Sequence, residues 1–192
     1  MNTVTSPGLR RRDFLSSAAL LAAGCCLTGP CPLRTSIFQS EQGLPEELTP
    51  AELEAVKKSS MAGEFEDYFG KGYSCAESLL MLGLRHLRLP EEFVWAAAGF
   101  GGGMQHKEVC GFLTAGIMAL GLAAGRLKLE RKEAKAWSKK RVDAYWSWWT
   151  AQAPVRCADI RKEGTSFKVC RRLGLLAAAK VEELIKSLEV PD

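Results

Sequence analysis

The sequence lacks the closely spaced cysteine motifs that mark several common cofactor sites. It has seven cysteines in 192 residues but no C-x-x-C pair, which excludes a local zinc-ribbon or ferredoxin motif. It also has no C-x-x-C-H sequence, so there is no site for covalent attachment of a c-type haem. Histidine is scarce, and no Ser/His/Asp or Cys/His set or carboxylate pair suggests catalysis. We therefore expect a non-catalytic protein rather than an enzyme.

Three further absences restrict the fold and the partners. No segment shows the apolar and polar alternation of a half-buried strand, and no internal repeat is present. The net charge is only +4, so the chain has no electrostatic footprint for nucleic acid. Because Ala, Leu, Glu and Lys are frequent, we expect an all-α domain.

The N-terminus contains an arginine pair followed by an apolar stretch. Arg11-Arg12-Asp13-Phe14-Leu15 precedes residues that stay uncharged as far as Leu27. This is the pattern of an export signal, and the apolar stretch is shorter than the roughly 20 residues of a membrane-spanning helix. It resembles a twin-arginine signal, with an ordinary secretory signal as the alternative. The resemblance implies export in the folded state, after insertion of a cofactor.

The end of this segment resembles a lipoprotein cleavage site. Gly24 precedes Cys25 in the sequence Leu21-Ala22-Ala23-Gly24-Cys25, which implies lipid attachment at the Cys25 thiol, while plain cleavage nearby is the alternative. We thus expect a periplasmic or cell-envelope protein with a lipid anchor in the membrane. The expected organisation is a signal over residues 1–27, a flexible Pro- and Gly-containing tether over 28–49, and a helical domain over 50–192.

The helical domain should contain an uncharged helix at its centre. No residue from Gly111 to Gly125 is charged, and this length suits a buried helix better than a membrane span. We expect a compact bundle of about five to six helices around this Gly/Ala-rich helix. The expected helices are Pro50–Phe69, one that starts at Ser74, Pro90–Ala98, Gly111–Gly125, Lys132–Trp149 and Ser166–Leu188.

Two of these helices carry more specific expectations. Ser74 and Glu77 form a capping-box pattern at the start of the second helix. In the helix Lys132–Trp149, helical spacing places four residues on one core-facing stripe: Val142, Tyr145, Trp146 and Trp149.

Four cysteines of the helical domain fall at expected helix starts. Cys75, Cys110, Cys157 and Cys170 each lie at or within about one turn of an N-terminus, where the helix dipole lowers thiol pKa values. Basic neighbours should favour an anionic group further: Lys107, Arg156, Lys168, Arg171 and Arg172. A cluster of iron and sulfide held by four thiolates is such a group.

A glycine-rich segment, Gly99–Gly103, precedes Cys110. It is not a dinucleotide-binding fingerprint, because no strand precedes it. One interpretation is a turn that needs positive φ angles. The other is that Gly101, Gly102 and Gly103 allow the backbone to approach a bound cofactor closely.

These motifs together resemble the C_GCAxxG_C_C family of redox-active proteins. The resemblance covers about residues 51–188 and rests on Gly72-Tyr73-Ser74-Cys75-Ala76, on Ala98–Met104, on Cys110-Gly111-Phe112-Leu113-Thr114-Ala115-Gly116, and on Cys157 and Cys170. The chain departs from the usual pattern at Phe112 and Ala115.

The same domain is similar to the cluster-binding part of split-Soret cytochrome c, where four such cysteines hold a [2Fe–2S] cluster. The resemblance implies the same cofactor here without haem, with Cys75, Cys110, Cys157 and Cys170 as metal ligands. It also implies electron transfer with a membrane or molybdopterin oxidoreductase as redox partner, and it is compatible with a homodimer.

Three functions remain open from the sequence. The chain could be an iron–sulfur electron-transfer protein, a thiol–disulfide redox module, or a structural domain with two disulfides and no metal. Export alone favours disulfides. The twin-arginine leader favours the cluster, because a disulfide-bonded protein can be exported unfolded.

Overall fold

The structure, a computed structural model, describes residues 43–186. This part of the chain contains seven α-helices, two 3₁₀-helices and a π-helical turn over Gly103–Lys107, and it contains no strand, which confirms the expected all-α class. The predicted leader, Cys25 and most of the predicted tether lie outside the described residues. The α-helices are α1 Pro50–Lys57, α2 Ser60–Gly63, α3 Cys75–His86, α4 Gly111–Arg126, α5 Arg131–Gln152, α6 Cys157–Ile160 and α7 Phe167–Lys186, and the 3₁₀-helices are Phe65–Asp67 and Glu91–Phe100.

Helix α4 is the centre of the fold, as its uncharged sequence predicts. It packs against α3, α5 and α7. Small residues allow close approach: a Cβ atom at Gly83 of α3 would lie 2.8 Å from the Cβ of Ala119 in α4. On the α5 side, the Tyr145 hydroxyl donates a hydrogen bond of 3.0 Å to the Phe112 carbonyl. Within the described part of the chain, no helix is both long and apolar enough to span a membrane.

The single helix expected over Pro50–Phe69 is broken into α1, α2 and a 3₁₀-turn, so that prediction is wrong. The break occurs at Ser59, whose hydroxyl accepts a hydrogen bond from the Ala62 N–H at 3.0 Å and so caps α2. Glu182 of α7 accepts three more bonds there, from the Ser59 hydroxyl, from the Met61 N–H at 3.0 Å and from the Ser60 hydroxyl at 2.8 Å. Because Glu182 is more than 120 residues away in the sequence, the residues around Ser59 carry no local signal of the break.

The helix expected over Pro90–Ala98 forms, but as a 3₁₀-helix over Glu91–Phe100. Its buried Val94 and Ala97 and its half-buried Phe100 recur every three residues, the repeat of that helix type. The remaining positions leave Phe93 and Trp95 exposed to solvent.

The core-facing stripe predicted for α5 is only partly correct. Tyr145 and Trp149 are fully buried, whereas Trp146 is exposed. Helix α5 packs mainly against α4 and α7, so its buried face is narrow. Trp148 is more buried than Trp146 and stacks on the Tyr145 ring at a centroid distance of 5.6 Å.

Candidate cysteine site

Each of the four cysteines lies where the sequence predicts, at or near a helix start. Cys75 is the first residue of α3 and Cys157 the first of α6, while Cys110 is the N-cap of α4. Cys170 is the fourth residue of α7. The capping box that precedes Cys75 is confirmed, because the Ser74 hydroxyl and the Glu77 carboxylate each accept the other's backbone N–H.

Two cysteine-bearing loops are joined by backbone hydrogen bonds. The Cys110 N–H donates to the Val155 carbonyl at 2.9 Å, and the Cys157 N–H donates to the Glu108 carbonyl at 2.6 Å. In addition to these backbone bonds, the Arg156 guanidinium donates two hydrogen bonds to the Glu108 carboxylate, at 3.0 and 2.9 Å. The pairing brings Cys110 and Cys157 together although they are far apart in the sequence, and no strand pattern in either loop predicts it.

Glycines allow the remaining segments to approach the cysteines. A Cβ atom at Gly111 would lie 2.5 Å from the Cys75 Sγ, and one at Gly103 would lie 2.6 Å from the Cys157 Cβ. At Gly101 it would lie 2.5 Å from the Ser74 Cβ. Gly101 and Gly103 thus pack closely against protein atoms, whereas Gly102 faces the cavity described below. The expectation that Gly101, Gly102 and Gly103 allow the backbone to approach a bound cofactor stays a prediction.

The segment between the glycines and Cys110 has an unusual backbone. Met104, Gln105 and Lys107 all adopt positive φ angles, between 54° and 59°, although none of them is glycine. The Glu108 N–H closes a wide turn by donating to the Gly103 carbonyl at 2.9 Å. Left-handed non-glycine residues cost about 1–3 kcal/mol each and cluster at functional sites.

The Cys75 thiol is close enough to each of the other three thiols to interact with it electrostatically. Burial raises the pKa of Cys110, Cys157 and Cys170, and the neighbouring Cys75 raises all three further. Cys157 adds to the effect on Cys110, and Cys170 adds to that on Cys157. The expectation of lowered pKa values is therefore wrong for these three thiols. Burial outweighs the lowering effects on their pKa values, which come from backbone N–H groups at Cys110 and from Arg161 at Cys157 and Cys170. All four cysteines are free thiols.

Three of the cysteines line one cavity of about 580 Å³: Cys75, Cys157 and Cys170. Cys110 is only 6% exposed and is not part of this wall. It lies beside the wall, because the adjacent Gly111 packs against the Cys75 Sγ and the Cys110 N–H bonds to Val155, two residues before Cys157. The other lining residues are Glu66, Phe69, Gly70, Tyr73, Ser74, Gly102, Arg161, Phe167, Lys168 and Arg171.

The basic residues near the site differ in part from those the sequence suggests. Lys168 and Arg171 line the cavity, and Lys107 partly offsets the rise in the pKa of Cys157. Arg172 points elsewhere, since it forms a buried ion pair with Glu52. Arg161, which is not among the predicted basic residues, places its Nη1 3.9 Å from the Cys170 Sγ. Its position four residues after Cys157, about one helical turn, was the available signal.

Residues 43–186 contain no group of three Cys, His, Asp or Glu side chains placed to hold a single metal ion.

The fold and the site together define a helical protein built around four clustered cysteines. The chain belongs to the C_GCAxxG_C_C family: the family's sequence model, described as "Putative redox-active protein (C_GCAxxG_C_C)", matches residues 73–184. This range contains all four cysteines, and the match confirms the family resemblance. No curated protein and no solved structure matches the chain. The family description is consistent with a redox role.

Proposed function

We propose that this protein is an exported electron-transfer protein that binds an iron–sulfur cluster through Cys75, Cys110, Cys157 and Cys170. The observation that carries the proposal is the convergence of four free thiols from four separate helix starts. When bound, such a cluster accepts and releases single electrons at a potential set by its surroundings.

The electrostatics of the thiols support a metal-containing ligand. Metal binding requires thiolates, and burial together with the neighbouring sulfurs makes thiolates costly here. A cationic metal centre reverses this cost, because it is the largest local charge in its site.

A [2Fe–2S] cluster suits the donor set. Such a cluster takes four cysteine thiolates, shared between two irons, so three ligands need not meet at one ion. The cavity beside Cys75, Cys157 and Cys170 offers space next to the thiols. Gly102 would be the loop residue nearest to the ligand, since it lines the same cavity.

The cellular setting is proposed from the N-terminal sequence. A twin-arginine leader would carry the folded, cluster-loaded protein to the periplasm or cell envelope, and acylation of Cys25 would anchor it to the membrane. A membrane or molybdopterin oxidoreductase is the proposed redox partner. Mass spectrometry of the mature N-terminus tests the anchor: we expect an acylated Cys25, and an unmodified start after that residue would refute it.

The cluster itself is tested on the full chain purified without oxygen. We expect visible absorption and equimolar iron and acid-labile sulfide, both lost in Cys75→Ser. The matched control is Cys26→Ser, which removes a cysteine outside the domain and should keep both. A colourless, metal-free protein would sink the proposal. If the cysteines of that protein pair reversibly, the thiol–disulfide alternative takes its place.

A further inference from the structure

We propose that Arg161, held in place by Phe167, is a positioning residue that raises the reduction potential of the cysteine site through Cys170. This inference rests on the proposed function. Its basis is a chain of three contacting side chains: the Arg161 Nη1 lies 3.9 Å from the Cys170 Sγ, and the guanidinium carbon lies 3.6 Å from the centroid of the Phe167 ring.

The backbone also ties Arg161 to a second cysteine. The Arg161 N–H donates a hydrogen bond of 2.8 Å to the Cys157 carbonyl at the end of α6. A turn then leads to Ser166, whose hydroxyl accepts the Lys168 N–H at 3.1 Å at the start of α7. Arg161 is therefore attached to Cys157 by its main chain and to Cys170 by its side chain.

Phe167 is exposed to solvent although its side chain is large and apolar. Its side chain is 66% exposed at the rim of the cavity, so the ring contributes little to the core. Its contact with the guanidinium is a cation–π interaction, for which arginine and an aromatic face are well suited. The ring restricts the orientation of Arg161 and so keeps its N–H groups directed at Cys170.

The expected effect on the site follows from charge. Reduction adds one electron to the site, and no covalent bond forms or breaks. A positive donor to a ligand sulfur stabilises the more negative, reduced state more than the oxidised state, which raises the potential. The two other cations of the cavity wall differ from Arg161, because Arg171 forms an ion pair of 2.6 Å with Glu66 and Lys168 is exposed. Solvent screens Lys168 more strongly than the half-buried Arg161.

The experiment is a redox titration of the full, cluster-loaded chain, followed by visible absorption. At a fixed potential we expect Arg161→Gln to lower the ratio of reduced to oxidised site about tenfold, which is about 59 mV for one electron. Phe167→Leu should shift the potential in the same direction by less, since Arg161 remains but loses its support. Arg161→Lys should also give a partial shift.

The matched control is Lys168→Gln, which removes the same charge from the same cavity and leaves the Arg161–Cys170 hydrogen bond in place. Its shift should be smaller and should vanish at high salt, whereas that of Arg161→Gln should persist. Equal shifts in the two variants, or unchanged potentials with full iron content, would overturn the inference alone. A wild-type chain without iron would overturn the proposed function as well. If Arg161→Gln fails to hold the cluster, the potential of the Phe167→Leu variant tests the inference instead, because this variant changes only an exposed ring.

Discussion

Gly111 lies directly against Cys75, so closely that a Cβ atom at Gly111 would be 2.5 Å from the Cys75 Sγ and 3.0 Å from the Phe100 carbonyl oxygen. The residue after one cysteine thus makes room for the sulfur of another. A side chain at this position would separate α3 from α4 where both helices begin.

We expect Gly111→Ala to displace Cys75, lower the iron content and destabilise the fold by about 1–3 kcal/mol, the usual cost of overpacking a core. Urea unfolding and iron analysis measure the two effects. The matched control is Gly121→Ala in the same helix, where nothing lies within 4 Å of the added Cβ. That change should stabilise the protein by about 0.5–1 kcal/mol. Equal stability and iron content of the two variants would contradict the close contact between Gly111 and Cys75.

A second prediction concerns the glycine-rich segment. At Gly103, with a φ of +70°, an added Cβ would lie 2.6 Å from the Cys157 Cβ and 2.7 Å from the Glu108 carbonyl oxygen. Gly103→Ala should therefore cost more than the roughly 1–2 kcal/mol of a left-handed conformation alone, and should expose Cys157 to alkylation. Gly102→Ala is the control, since its φ is +61° and nothing lies within 4 Å. The difference between the two unfolding free energies isolates the clash, and a difference near zero would rule it out.

Acid should weaken the connection between α7 and α2. Burial by itself raises the pKa of Glu182, but hydrogen bonds from Lys186, Ser59, Met61 and Ser60 outweigh it and lower this pKa to about 2. Because the folded pKa lies below the ordinary value of 4.5, the stabilisation is complete above pH 4.5 and is lost as the pH falls towards about 2. The shift corresponds to about 3 kcal/mol.

Glu182→Gln should remove most of this pH dependence and destabilise the protein at neutral pH by about 2–4 kcal/mol, because buried donors lose a charged acceptor. Urea unfolding between pH 2 and 7 measures both effects. Glu183→Gln is the control, since its carboxylate is 64% exposed and pairs with Lys180 on the surface. An unchanged acid profile in Glu182→Gln would show that other groups control the transition.

The buried hydroxyl of Tyr145 gives a fourth prediction. Tyr145→Phe removes the hydrogen bond to the Phe112 carbonyl while the ring keeps its packing, so we expect a loss of about 1 kcal/mol. Thermal or urea unfolding measures it. An unaltered unfolding free energy would mean that this bond does not help to hold α5 against α4.

Local patterns predicted several parts of the site. The Ser74–Glu77 capping box located the start of α3 and hence Cys75, because the hydrogen bonds of a cap join residues only three positions apart. The uncharged run from Gly111 to Gly125 located α4 for a similar reason, since a buried helix must lack charge along its whole length.

Longer-range contacts escaped prediction. The break at Ser59 depends on Glu182, and the pairing of the Cys110 and Cys157 loops depends on two short segments without strand character. The contact of Arg161 with Cys170 spans the turn between α6 and α7. The first two contacts are created by packing, and local sequence carries no record of them. For Arg161, the spacing from Cys157 gave a local signal of proximity to the site but not of the contact with Cys170.

The sequence by itself determined the helical class, the family, the four cysteines and their positions at helix starts, since caps, periodicity and motifs act over a few residues. Only the tertiary structure decided which thiols are neighbours, that Gly101 and Gly103 pack against cysteine-bearing segments, and that the pKa values of Cys110, Cys157 and Cys170 rise rather than fall. The physical reason is that burial and Coulomb interactions depend on distances in space, and packing of α3, α4, α6 and α7 sets those distances.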